Sequence, residues 1–164
     1  MELEPEKKAL YLSYFTVAYN IAEGIVSIIA GLLAGSIALI GFGMDSAVES
    51  LSGTVMIWRF GRHKDLSKEE EEKVEKKAVK MISITFFILG GYVLYESINK
   101  LYFKQTPEPS LLGIAIAIVS IIVMPILFFM KYRIGRSIES RSLIADSKQT
   151  LACVMLSIAL LIGL

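Results

Sequence analysis

Five apolar stretches follow one another along this chain of 164 residues. Each is about twenty residues long, the number a helix needs to cross roughly 30 Å of hydrocarbon at about 1.5 Å per residue. Lipid offers no hydrogen bonds to a backbone, so a run of that length crosses as a helix that satisfies its own peptide groups. The expected spans run from about Tyr11 to Ala34, from 36 to about Trp58 after a small turn at Gly35 and Ser36, from about Ala78 to Asn99, from Leu111 to Met130, and from about Leu143 to Leu164. The whole chain, 1–164, then reads as one all-α domain, a polytopic transmembrane helical bundle with a loop at 59–77. Its 54% apolar content would be unusual in a soluble domain. The mixed charge of "MELEPEKK" and the length of the first apolar run argue for a true span rather than a cleavable signal.

The small net charge hides an asymmetry. All Lys and Arg except Lys100 and Lys104 fall on the N-terminal tail or around the segments that follow spans two and four. Orientation follows basic residues, so the N-terminus and both of those segments are expected in the cytoplasm. The segment "HKDLSKEEEEKVEKKAVK" alternates in sign at helical spacing. Ser67 with Glu70 resembles a capping box, and Glu69 with Lys73 and Glu72 with Lys76 form i, i+4 pairs. It reads as a solvated extension of span three rather than a nucleic-acid patch, with His63 a surface residue. Cys153 is the only cysteine, which excludes a disulfide within the chain.

In "GFGMDSAVES", Asp45 and Glu49 sit inside span two, where an ionised acid costs about 2.5 to 3.5 kcal/mol on insertion scales. At about 100° per residue the two project about 40° apart, on one stripe with Gly41 and Ser52. Span five has a matching stripe of Ser142, Asp146, Gln149 and Cys153, and span one carries Asn20, Glu23, Gly24, Ser27 and Gly31 on one broad face. Such faces belong inside the bundle, and small residues among them allow close helix approach. Spans three and four are more uniformly apolar, apart from Glu96 near one end, and are expected at the periphery.

Two carboxylates in a dry site have to be protonated, paired with a base or neutralised by a cation. No Lys or Arg is expected at that depth, and Lys148 points away from the stripe near a helix start. A cation or a proton is therefore the expected partner. Carboxylates and a thiol at i, i+4 spacing on two helices suit a divalent ion such as zinc, and ligands that lose protons to bind metal link the two occupancies. Three classes follow: a metal transporter coupled to protons, a membrane-embedded metalloenzyme, and a scaffold whose acids are interhelical glue. The enzyme is disfavoured because the spans contain no His. Taken singly, Cys153 also reads as a small buried hydrophobe, and Gln149 as a helix-helix hydrogen-bonding residue.

The stretches "AGSIALIGFGMDSAVESLSG" and "SLIADSKQTLAC" resemble the membrane domain of the cation diffusion facilitators, the cation efflux family. The resemblance implies an acid pair D-x-x-x-D on span two and, after "AD", an H-x-x-x-D pair on span five, which together bind a divalent cation, usually zinc, exchanged for protons. Residue by residue, Asp45 and Glu49 match the acid pair, Gln149 falls on the His position and Cys153 on the second Asp. Losing the imidazole bears on proton coupling, and gaining a thiol shifts preference toward softer metals. Asp146 would support rather than ligate, with Asn20 and Glu23 as supporting or pathway residues. The resemblance also implies a homodimer, to which "GLLAG" at Gly31 to Gly35 adds a hint. No cofactor is implied beyond the transported cation and protons, and the partners are lipid and the ion, not nucleic acid. It further implies six spans where five are counted, so a shortened chain is expected from a branch without the family's soluble C-terminal domain.

Overall fold

The computed structural model of the protein describes residues 4–61, 67–103 and 111–163. Five helices make up its regular structure: α1 (Pro5–Ala34), α2 (Ile37–Gly61), α3 (Lys68–Phe103), α4 (Leu111–Ser137) and α5 (Arg141–Gly163). His63, Lys104 and the side chain of Glu96 lie outside the described residues. The five expected spans are five helices, and α1, α3 and α4 extend well beyond their apolar runs. α3 opens with polar turns before Ala78. There the capping box forms, with Glu70 Oε2 accepting from the Ser67 N–H at 2.9 Å, and Lys73 reaches Glu69 at 2.8 Å as Lys76 reaches Glu72.

α1 begins with Pro5 in its first turn, where a missing N–H costs nothing. It ends at Gly35, whose φ of 64° is left-handed, and the Ser36 N–H then donates to the Gly31 carbonyl at 2.9 Å. That reversal brings α2 back along α1. The two backbones nearly touch: a Cβ built on Gly43 would lie 2.8 Å from the Gly24 carbonyl oxygen, and one on Gly24 would lie 3.1 Å from that of Gly43. Gly31 is likewise closed off, by Ile40. The glycine of "GLLAG" is thus taken up in packing within the chain, and Gly35 serves the turn.

Helices α1, α2, α5 and α4 contact in a closed ring, while α3 lies outside it in the groove between α2 and α5. The expectation of a peripheral α3 holds. That for α4 does not, because Gly113, Ala117, Ser120, Met124, Leu127, Lys131 and Gly135 form a buried stripe along it. A three-to-four-residue period that begins with the small residues Gly113, Ala117 and Ser120 carried that face.

The bundle buries polar side chains alongside apolar ones and exposes a mainly apolar surface. Ser13, Thr16, Asn20, Glu23 and Ser27 of α1 are buried, whereas Phe15, Ile25, Leu32, Phe87, Leu94, Ile122 and Phe129 are exposed around the outside. Lipid accepts that outer surface; inside, Ser13 and Thr16 donate to carbonyls one turn back in α1, and Glu23 accepts from Ser46 of α2. Among the described residues, four helices, α1, α3, α4 and α5, are long and apolar enough to cross a membrane. α2, which carries the acid pair, is sheltered by α1, α3 and α5.

Candidate metal centre

Asp45 and Glu49 lie one turn apart on α2 and are buried, Glu49 completely, as are Ser52 on the same helix and Ser142, Asp146, Gln149 and Cys153 on α5. The two polar stripes meet across the α2–α5 contact: the Ser52 hydroxyl donates to Asp146 Oδ1 at 2.5 Å, and the Thr150 hydroxyl donates to Glu49 Oε1 at 2.6 Å. Lys148 is exposed, as expected.

The expectation that no base stands at this depth is overturned by Lys131. Its side chain is fully buried, with Nζ 2.9 Å from Asp146 Oδ2 and 3.8 Å from Glu49 Oε1. The same nitrogen donates to Thr150 Oγ1 at 2.9 Å, so Thr150 links the ammonium to Glu49. Lys131 directly follows the apolar run of span four, where a basic residue ordinarily snorkels to the interface. Here α4 continues to Ser137, and Lys131 falls in register with Met124 and Leu127 on the face turned inward. That heptad-like register was the available signal.

The remaining candidates surround this network. Gln149 Oε1 lies 3.1 Å from Thr85 Oγ1 of α3. The Thr85 hydroxyl has one proton to give, and the Ile82 carbonyl, 2.8 Å away, is its nearer acceptor. Rotating the amide by half a turn would let Gln149 Nε2 donate to Thr85 and place the carbonyl oxygen where the unpartnered group now lies. Cys153 packs against Val48 and Leu89, and its thiol stands beside the Glu49 carboxylate, with those of Asp45 and Glu23 farther off in electrostatic range. Glu23 accepts from Tyr19 and Ser46, each at 2.9 Å. Asn20 lies between Val17, which faces Gly53, and Gly24, which faces Ser46, and so stands near the height of Glu49. Among the described residues, its amide and Glu49 Oε2 are buried without a hydrogen-bond partner. Such groups are commonly met by water or an ion.

The arrangement brings Asp45 and Glu49 into one interior with Cys153 and Gln149, but does not converge them. Among the described residues, no three His, Cys, Asp or Glu side chains stand together in a geometry that could hold a metal ion. Glu49 is turned instead toward Thr150 and Lys131.

A second polar cluster closes the end of the bundle. Glu75, in the polar turns that precede the apolar part of α3, accepts from the Ser142 N–H at 2.7 Å, from the Ser140 hydroxyl at 3.0 Å and from Arg59 Nε of α2 at 2.5 Å. Burial alone would raise the Glu75 carboxyl, but these donors outweigh it and hold the group below the usual range. Its role escaped the sequence reading. The signal was that Glu75, unlike Glu69 and Glu72, has no Lys at i+4.

Comparison with known proteins bears on these features together. The chain matches the pattern of the cation efflux transmembrane domain over residues 13–164. Transmembrane protein 163 of Xenopus laevis is 22% identical over 157 residues, covering 96% of this chain and 55% of that protein. Magnetosome protein MamB of Magnetospira sp. (strain QH-2) is 26% identical over 152 residues, 88% of this chain and 51% of its own. The chain therefore spans about half the length of these curated relatives. No solved structure matches. An integral, multi-pass bundle with buried acids on α2, matched over nearly its whole length, belongs to the cation efflux family through its transmembrane domain.

Proposed function

We propose that this chain forms the membrane path of a divalent-cation transporter that exports zinc from the cytoplasm in exchange for protons. The observation that carries the reading is the pair of buried carboxylates on α2, Asp45 and Glu49, facing the polar stripe of α5 inside a bundle whose outer surface is apolar. Glu49 keeps one carboxylate oxygen without a hydrogen-bond partner among the described residues. Asp45 and Glu49 bind the ion and trade it for protons, while Cys153 and Gln149 complete or tune the shell. Ion entry turns Glu49 away from Thr150. Relative movement of helices then opens the site to each side in turn, and no covalent chemistry is involved. The N-terminus lies in the cytoplasm. A second copy of the chain belongs to the same reading, and Gly31 is not its contact because Ile40 already covers it.

The experiment is zinc flux into proteoliposomes under an imposed pH gradient, comparing the chain with Asp45→Asn. The expected result is flux that follows the gradient and falls at least about a hundredfold in the variant, the loss of roughly 2.7 kcal/mol. Absence of flux for every divalent metal in folded protein overturns the reading. One observation favours a scaffold instead: the ion pair of Lys131 with Asp146 is also what interhelical glue looks like. A scaffold predicts no metal affinity.

A further inference from the structure

We propose that Lys131 is a tethered cation that offsets charge at the site before an ion enters, and that a divalent ion has to displace its hold on Glu49 in order to bind. The inference rests on the reading that Asp45 and Glu49 take the ion, and it assigns a role to a residue that no motif of the site contains.

The geometry points to one fixed and one releasable partner. Asp146 is held from two sides, by Ser52 at 2.5 Å and by Lys131 at 2.9 Å. Glu49 is held more loosely, with Lys131 at 3.8 Å and the Thr150 hydroxyl between them. Thr150 has a second acceptor ready: its Oγ1 also lies 3.4 Å from the Asp146 backbone carbonyl. When an ion claims Glu49, the hydroxyl can turn its proton to that carbonyl, and the ammonium can stay on Asp146.

Two consequences follow from Coulomb's law in a poorly solvated interior. Without an ion, Asp146 and Glu49 share the Lys131 ammonium, so this part of the bundle can stay closed and dry. With an ion, the nearby ammonium opposes it and keeps affinity low enough for release. Lys131 is thus a positioning and affinity-setting residue rather than a ligand. A purely structural ion pair would support folding and leave affinity unchanged.

The test is calorimetric titration of the purified full chain with zinc chloride alone, for the natural sequence, Lys131→Arg, Lys131→Met and the double variant Lys131→Met with Asp146→Asn. The double variant removes both partners of the close ion pair, so that Asp146 is not orphaned, and keeps the net charge. The expected result is that Lys131→Met tightens zinc binding at least about tenfold, that the double variant shifts the same way by less, and that Lys131→Arg stays near the natural value. If Lys131→Met does not fold, the double variant decides. Zinc binding that these folded variants leave unchanged or weaken overturns the tethered cation while leaving the site standing. No zinc binding by the natural chain overturns the site and this inference together.

Discussion

Cys153 shows how one side chain serves two environments. Its apolar neighbours are Val48 and Leu89, which suit a small hydrophobe, yet its thiol stands beside the Glu49 carboxylate. Packing and ligation make different demands on a metal series. If the sulfur ligates, Cys153→Ser is expected to weaken cadmium binding by at least about tenfold while changing manganese binding little, because a soft thiolate favours the softer ion. Equal effects in a competition titration would assign Cys153 to packing. The Cys153 position was legible because i, i+4 spacing puts it on one face with Gln149. Its distance from Asp45 was not, since the rotation of α5 about its axis is set by contacts with α3 as well as α2.

At the scale of elements, the charged end of the bundle joins three helices through one carboxylate. Glu75 of α3 caps the start of α5 through Ser142 and receives Arg59 from the end of α2. Glu75→Ala is expected to lower stability by about 2 to 3 kcal/mol, since it leaves Arg59 only its longer contact with Glu71 at 3.3 Å and uncaps a helix. The pH dependence has a definite sign. A carboxyl depressed in the folded state contributes its stability above the ordinary unfolded value and loses it as pH falls through the depressed one. Thermal melts in detergent are therefore expected to show a loss from about pH 4 downward that Glu75→Gln largely abolishes. An unchanged acid profile in Glu75→Gln would remove this clasp from the account. The helices themselves were legible from their apolar lengths. This clasp was not, because acids in a charged segment look alike until a neighbouring helix end selects one.

The whole molecule draws polar stripes into its interior and presents an apolar surface to lipid. Its N-terminus, the polar start of α3 and the α4–α5 turn are expected on the cytoplasmic side. A cysteine introduced as Glu4→Cys should react with an impermeant maleimide in inside-out vesicles and stay protected in right-side-out ones, with buried Cys153 as a silent background; the reverse pattern would invert the topology. Much of this architecture is contained in the order of residues. Apolar runs of bilayer length permit only helices, and polar stripes on α1, α2 and α5 have to face protein because lipid offers them nothing. What tertiary structure alone decided is how the acids are compensated. An ammonium at the end of an apolar run can snorkel to the interface at little cost, or turn inward only where partners offset its desolvation. The choice was made by the ring of α1, α2, α5 and α4, which sets Lys131 opposite Asp146 and Thr150, residues that no local pattern connects to it.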